Sequence, residues 1–224
     1  YRMIDFDRTS KLGIEGKVIA VEYDKNRTSY IALVLYKDGE KKYHIAHSET
    51  KVGQIIVCKE KAKIIPGNRM MIKNIPIGYN IFNVELHKGK GGQMGRSAGT
   101  IITLVSLEGE KAQIQLPSGE VRLVDKDCYA DIGIVSNIEH NNINVGKAGR
   151  KRHMGHRPKV RGKAMNPVDH PHGGGEGKNP IGLKYPKTKW GLPALGVATR
   201  RRKYTDKFII KRRKKKTQQA ELTK

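Results

Sequence analysis

The side chains that could do chemistry are concentrated in residues 146–178, where histidines, two acidic groups and many cations lie among glycines. Asp169 and His170 are adjacent, but nucleophilic catalysis needs a nucleophile, a base and a group that orients the base. Serine and threonine are absent from this segment. The pattern therefore does not favour an enzyme, because a site centred on His170 would lack its partners.

The histidines of this segment form two short pairs, His153 with His156 and His170 with His172. Structural zinc sites use four Cys, His or carboxylate ligands in a defined geometry. No cysteine is near these pairs in sequence. We therefore expect no metal or other cofactor in the protein itself, although structural Mg²⁺ held by a nucleic-acid partner is compatible with this sequence. Histidines in such a setting typically stack on bases or bond to phosphate and ribose, which makes His170 and His172 candidate RNA-binding residues.

The distribution of charge identifies the class of partner. The net charge is +24, and residues 147–224 contain 24 basic and 4 acidic side chains, whereas residues 1–146 contain 21 and 17. A polycationic end of this kind favours a nucleic acid or an acidic membrane surface. No amphipathic helical period accompanies these cations, so we expect no membrane partner.

Residues 146–178 also contain few aliphatic side chains and many Gly and Pro residues. Such a segment buries too little apolar surface to offset the entropy of ordering, so we expect it to become ordered against RNA. In the tail, 200–216, aromatic residues accompany the cations. The candidate RNA-binding cations of this last third are Arg150, Lys151, Arg152, Arg157, Arg161, Lys163, Arg200, Arg201, Arg212 and Arg213.

A second basic stretch, the glycine-rich loop 88–99, contains five glycines with Lys88, Lys90 and Arg96. It matches neither the P-loop pattern nor the dinucleotide-binding pattern. Glycines allow backbone N–H groups to approach phosphate closely, and the cations supply charge. The alternative is a mobile surface loop without a ligand. We predict that Lys88, Lys90 and Arg96 contact a phosphate backbone.

The elements that must position these residues are short β-strands. In 1–76, strands are predicted at 17–24, 28–37, 41–46, 54–58 and around 70–72, with an Asp38-Gly39 hairpin turn. This spacing predicts an OB-like barrel. In 77–145, strands are predicted at 80–86, 100–107, 111–117, 120–125 and 132–138, which indicates an SH3-like barrel. The predicted fold is therefore mainly β: an OB-fold barrel, an SH3-like barrel, and a long irregular basic extension over 146–224.

Several long motifs give a more specific indication. The sequence PKVRGKAMNPVDHPHGGGEGK, with YRMIDF, GKGGQMGRSAGT and TDKFIIKRR, closely resembles the family of the universal large-subunit ribosomal protein two, in its bacterial or organellar form. The resemblance extends along nearly the whole chain and implies the same two barrels. It implies a structural, primary rRNA-binding protein that supports subunit association and the peptidyl-transferase region without being an enzyme.

The resemblance also implies partners and one further residue. The expected partners are large-subunit rRNA, neighbouring ribosomal proteins and small-subunit rRNA across the interface, in a bacterial cytoplasm, mitochondrion or plastid. The tip that the family places near the catalytic centre corresponds to 166–177, which adds Asn166, and we expect His170 to fix RNA structure there. The basic arm that usually precedes YRMIDF is absent from this sequence, and Lys163 replaces a small residue. The competing hypothesis is a DNA-compacting or general RNA-chaperone protein, which would not need the NPVDHPHGGGEG tip.

Overall fold

The computed structural model describes residues 1–195, 200 and 203–213. The chain divides into two compact units, Tyr1–Ile143 with Tyr204–Lys224, and Asn144–Lys203. Arg201, which is predicted to bind RNA, lies outside the described residues, as do the basic tail positions 214–216. Among the described residues, no helix has the length and apolar character needed to cross a bilayer.

The first unit, called the barrel unit below, consists of short antiparallel strands in three sheets. The strands are β1 (Glu15–Glu22), β2 (Ile31–Tyr36), β3 (Lys41–Ile45), β4 (Ile55–Val57), β5 (Arg69–Met71), β6 (Asn80–Phe82), β7 (Val84–Glu85), β8 (Gly92–Met94), β9 (Ile102–Ser106), β10 (Lys111–Gln115), β11 (Val121–Asp125), β12 (Tyr129–Ile132) and β13 (Ile209–Lys211). One sheet has four strands in the order β3-β2-β1-β4, a second has seven in the order β13-β11-β10-β9-β6-β12-β5, and β7 pairs with β8.

The four-stranded sheet forms because alternate residues of its strands are apolar and face one core. Val18, Val34 and Ile56 are buried together in that core. The predicted turn at Asp38-Gly39 connects β2 to β3, and the Tyr36 N–H donates to the Glu40 carbonyl at 2.9 Å. The larger sheet follows the same rule, and alternation along β10 buries Ala112 and Ile114. The prediction of a mainly β fold with an OB-fold barrel and an SH3-like barrel is confirmed.

The strand predicted at 80–86 is interrupted. Asn83 has a φ of 48°, which separates β6 from β7. Its side-chain Nδ2 donates to Asp131 Oδ2 at 3.0 Å and to the Phe6 carbonyl at 3.3 Å. The break therefore places the buried Asn83 amide against the Asp131 carboxylate. The alternation of residues along a strand cannot predict such a contact between distant parts of the sequence.

The prediction that a strand at 132–138 closes the sheet was wrong about the position of that strand. Strand β12 ends at Ile132, and beyond it only an isolated bridge joins Val135 to His47. All four residues of β12 are buried, because β5 and β6 pair with it on either side. The strand expected near 70–72 is present as β5. Its antiparallel partner is β12, and one parallel bridge between Cys58 and Arg69 connects it to the end of the first barrel.

The end of the chain contributes a strand that the sequence did not predict. Phe208-Ile209-Ile210, an apolar group within the basic tail, leads into β13 on the edge of β11, where Val121 pairs with Lys211 and Arg122 with Ile209. The Lys111 ammonium lies 4.8 Å from the centre of the Phe208 ring. The described end of the tail is thus part of the larger sheet.

The second unit has little regular structure. Residues 144–195 contain one short helix, α1 (Ala148–His153), one 3-10 turn at Gly162–Ala164 and an isolated bridge between Lys187 and Pro193. None of these described residues is buried. This part of the unit therefore has no core, and local turns fix its backbone.

Candidate nucleic-acid interface

The glycine-rich loop 88–99 is attached to the barrel unit at both ends. It contains strand β8, whose Gly92 N–H donates to the Phe6 carbonyl at 3.0 Å. Further on, the Ala98 N–H donates to Thr28 Oγ1 at 3.0 Å. The turn before β8 has no such hydrogen bond to the described remainder of the barrel unit. The hydrogen bonds on either side of that turn argue against the alternative of a wholly mobile loop.

The three predicted cations of this loop are all exposed but differ in what they contact. Lys88 Nζ lies 3.9 Å from Asp127 Oδ2. Lys90 occupies the turn that its N–H closes onto the His87 carbonyl at 3.2 Å. The Arg96 guanidinium lies 4.4 Å from the centre of the Phe6 ring, and it donates to the Gly92 carbonyl at 3.2 Å. Arg96 is thereby oriented by the protein itself, whereas Lys90 extends from the turn.

A buried network of charges lies beneath this loop. Arg69 donates to Asp131 Oδ1 at 3.0 Å and to Glu85 Oε1 at 2.8 Å, and all three side chains are fully buried. Arg8 contacts Asp131 Oδ2 at 3.3 Å. The Glu85 Oε2 atom accepts the Tyr129 N–H at 3.0 Å. Two guanidinium groups therefore balance two carboxylates, which fixes β7 and β12 below the loop.

This network was missed by sequence reasoning, which gave no role to Arg8, Arg69, Glu85 or Asp131. Burial alone would lower the pKa of Arg69, but Asp131 and Glu85 outweigh it and the pKa is raised. A sequence signal existed, since Glu85 and Asp131 interrupt the otherwise apolar stretches NVEL and YADIGI. A carboxylate within a buried strand requires a paired cation.

The predicted cations within the described residues 144–195 are exposed, apart from Lys163, and none of them is in an ion pair. Helix α1 presents Arg150, Lys151 and Arg152 at consecutive positions, and no acidic residue is in its first turn. Arg157 and Arg161 follow on exposed backbone, and Lys163 is half-buried. Within residues 144–195, twelve Lys and Arg side chains face only two carboxylates, and no ion pair forms in this described part. The excess charge is therefore available to a polyanion.

The tip 166–177 has a defined backbone although it has no core. The Asn166 carbonyl accepts the N–H groups of Asp169 at 3.0 Å and His170 at 3.2 Å. The Gly173 N–H donates to the His170 carbonyl at 2.8 Å, and the Gly174 N–H donates to the Met165 carbonyl at 3.1 Å. These turns bring Asn166, His170 and His172 together, as the prediction of a common tip requires.

His170 is held by contacts on two sides. Its Nδ1 accepts the His172 N–H at 3.0 Å, so that the neutral ring has its proton on Nε2. A methyl group placed on the Cα of Gly162 would lie 2.5 Å from the His170 ring. Only glycine allows this approach, and the ring is fixed with its Nε2–H as a donor for a phosphate or ribose oxygen.

His172 connects the tip to the following segment. Its Nε2 accepts the Lys187 N–H at 2.9 Å, which requires a neutral ring. Desolvation lowers the pKa of His172, and the positive charges of Lys163 and Lys187 lower it further. The same environment thus favours the protonation state that the hydrogen bond needs.

The described residues give no metal cluster: nowhere in them do three His, Cys, Asp or Glu side chains converge as a metal site would need. The rings of His170 and His172 lie 4.9 Å apart at 59°. Their backbone bonds occupy His170 Nδ1 and His172 Nε2, and these atoms act as turn-stabilising acceptors. The expectation that the protein itself has no cofactor stays a prediction.

The remaining predicted residues belong to the tail. Arg200, Arg212 and Arg213 are exposed, and Arg212 pairs with Asp206 at 2.8 Å. The structure thus separates the predicted residues into the glycine-rich loop, the tip with its flanking helix, and the end of the chain. Together they can neutralise phosphates and present histidine and amide groups to RNA, but they form no nucleophilic centre.

Comparison with protein families gives two matches along this chain. Residues 1–58 match Ribosomal Proteins L2, RNA binding N-terminal domain. Residues 65–191 match Ribosomal Proteins L2, C-terminal domain. The two matches cover both barrels, the glycine-rich loop and the tip.

Proposed function

The chain belongs to the ribosomal protein L2 family, and we propose that it is a primary rRNA-binding scaffold that supports subunit association and the peptidyl-transferase region. The coarser role follows from the family: it is a structural, RNA-binding protein of the large ribosomal subunit and is located on the ribosome. The proposal concerns what its exposed cations and its tip do there.

One observation carries the proposal. The segment 144–195 has twelve cations, two carboxylates and no buried residue. In rRNA, each cation placed on a phosphate releases condensed counterions, and this release drives binding. Such contacts with the phosphate backbone position the protein on the RNA but do not read its sequence. The protein would therefore recognise the shape of the folded RNA.

We assign the predicted set of Lys, Arg, Asn and His residues to contacts with large-subunit rRNA. Neighbouring ribosomal proteins and small-subunit rRNA are the further partners, in a ribosome of bacterial type in a bacterial cytoplasm or an organelle. In this proposal, residues 1–76 and 77–145 form two barrels that position the loop 88–99. Residues 146–224 form the extension that runs along the RNA. Mg²⁺ ions in this setting belong to the RNA.

His170 has a positioning role in this proposal. Its ring is fixed by Gly162 and by the His172 N–H, and its Nε2–H can hold an RNA oxygen. Serine and threonine are absent from 146–178, so the tip lacks a hydroxyl nucleophile. The chain therefore contributes RNA structure near the reaction rather than bond chemistry.

The test compares Gly162→Ala with Gly149→Ala in cells that depend on the variant. A methyl group at Gly162 collides with His170, whereas one at Gly149 meets no atom within 4 Å. We expect Gly162→Ala to reduce incorporation into large subunits, or the joining of subunits, about tenfold relative to Gly149→Ala, since overpacking costs about 1–3 kcal/mol. Sedimentation of the subunits after a high-salt wash measures this.

Two results would contradict the proposal. Release of the wild-type chain to free RNA or bulk DNA in the wash would favour a general polycation. Normal subunit profiles of Gly162→Ala, with a selective loss of peptide-bond formation, would favour a catalytic role for His170.

A further inference from the structure

We propose that Trp190, at the end of a small hairpin in 186–194, is a stacking site for an unpaired nucleotide of RNA. The inference rests on the proposed rRNA-binding function and adds a residue and a ligand class to it. Its observations are the geometry of the hairpin, the exposure of its ring and the charges around it.

The hairpin is defined by three backbone hydrogen bonds. The Thr188 N–H donates to the Leu192 carbonyl at 2.8 Å, and the Ala194 N–H donates to the Pro186 carbonyl at 2.8 Å. The Gly191 N–H closes the turn onto the Thr188 carbonyl at 2.9 Å, and Gly191 has a φ of +78°. This is a three-residue hairpin loop whose left-handed position needs glycine, and Trp190 is its central residue.

The ring of Trp190 is displayed rather than packed. Trp190 is 74% exposed. The Lys189 ammonium lies over the ring, 4.6 Å from its centre, in a cation–π contact that leaves most of the residue exposed. An exposed indole on an ordered turn costs solvation free energy that a stacking partner would recover.

The charge around the ring selects the partner. Residues 179–195 contain Lys184, Lys187 and Lys189 and no Asp or Glu. Lys184 lies 5.7 Å from the centre of the Tyr185 ring, which is 56% exposed. Aromatic rings interleaved with lysines, without acidic groups, match a single-stranded nucleic acid, in which the bases stack and the phosphates pair.

The hairpin is also joined to the tip that we assign to rRNA. The Lys187 N–H donates to His172 Nε2 at 2.9 Å, and the two elements belong to the same unit. A nucleotide stacked on Trp190 would therefore be held at a fixed separation from His170 and Asn166. This attachment makes the site part of one RNA-binding surface.

The experiment uses the fact that the chain has a single tryptophan. Its emission therefore reports on this ring alone in the full-length protein. The probes are a short oligoadenylate strand and a blunt RNA duplex of equal length. We expect saturable quenching by the single strand, with little quenching by the duplex, because paired bases do not expose their faces.

Binding of the same strand to variants gives the second measurement. Stacking on one aromatic side chain predicts about a tenfold loss of affinity for Trp190→Ala and near-normal binding for Trp190→Phe. The matched control is Tyr23→Ala, since Tyr23 is 64% exposed but lies in the barrel unit, outside the hairpin and the basic tail. Equal losses for Trp190→Ala and Tyr23→Ala would overturn the assignment.

The outcomes separate this site from the proposed function. If wild-type protein stays on washed large subunits but oligoadenylate leaves its emission unchanged, the stacking site is refuted and the scaffold role stands. If wild-type protein leaves the subunits, the scaffold role itself fails. Equal quenching by the duplex would overturn the proposal in favour of contact with the RNA backbone.

Discussion

The barrel unit and the segment 144–195 contain the same cationic side chains in opposite electrostatic settings. In the barrel unit, Arg27 contacts Asp24 at 2.6 Å and Lys73 contacts Asp127 at 2.9 Å. Lys11 contacts both Asp38 and Glu40. In the described segment 144–195, no Lys or Arg is paired with a carboxylate.

The difference follows from local composition and burial. Residues 1–146 contain 21 basic and 17 acidic side chains, and nine of these cations lie within 4 Å of a carboxylate oxygen of the fold. The segment has neither the carboxylates nor a core, and its cations can be neutralised only from outside. A cation in this family member thus serves stability or RNA binding according to what surrounds it. Three predictions test that distinction.

The largest expected effect is on the buried network. Asp131→Asn leaves Arg8 and Arg69 buried beside a single remaining carboxylate, Glu85. Breaking a buried ion pair typically costs about 3–5 kcal/mol, a large share of the stability of a domain. We expect a loss of that size in the free energy of unfolding, measured by urea denaturation.

The control is the same substitution on the surface. Asp127 pairs with Lys73, but its side chain is 51% exposed. We expect Asp127→Asn to cost less than about 1 kcal/mol. Equal losses for the two variants would remove the distinction between buried and surface pairs.

A smaller effect is expected from acid. Buried His44 accepts the Tyr36 hydroxyl at 2.8 Å and donates Nδ1–H to the Asp5 carbonyl at 3.1 Å. Desolvation, with the charge of Arg8, lowers the pKa of His44 from 6.5 to about 3. Below pH 6.5 the unfolded chain therefore binds a proton that the folded chain does not. The contribution of neutral His44 to the free energy of unfolding is therefore complete above pH 6.5 and is lost as the pH falls toward 3.

The variant His44→Gln isolates this titration. It should reduce the slope of unfolding free energy against pH by up to about 1.4 kcal/mol per pH unit. His87→Gln, at an exposed position of the barrel unit, serves as the control. An unchanged slope in His44→Gln would show that other groups dominate the acid response.

The smallest effect concerns a single phosphate contact. Arg152→Ala, in α1, should lower rRNA affinity several-fold and reduce the salt slope by about one, with the free energy of unfolding unchanged. Lys73→Ala should leave the salt slope as it is, because Asp127 already neutralises that charge. Filter binding over a series of salt concentrations measures both. Equal slopes for the two variants would contradict the comparison.

The barrels were predictable from sequence because their strands follow local rules. The strand predicted at 111–117 is present as β10, whose alternation buries Ala112 and Ile114, and Asp38-Gly39 identified a hairpin. The break at Asn83 and the position of β12 were not predictable. Both depend on contacts between residues far apart in sequence, such as the bond from Asn83 to Asp131.

The candidate site was predictable in composition but not in geometry. The density of Lys and Arg in 146–178 and the NPVDHPHGGGEG motif indicated RNA. Composition could not distinguish Arg69, which is fully buried, from Arg152, which is exposed. Nor could it show that Gly162 supports the His170 ring, since that contact depends on the turns between them.

The pairing of β13 with β11 has a consequence for the life of the chain before it reaches RNA. Strand β11 ends at Asp125 and β13 begins at Ile209, so the whole basic segment is synthesised before that edge is covered. An uncovered edge strand offers its N–H and C=O groups to any neighbouring chain and promotes aggregation. We expect Ile209–Lys211 to protect the nascent protein, because a chain that stops earlier leaves the edge of β11 open to pairing with another chain.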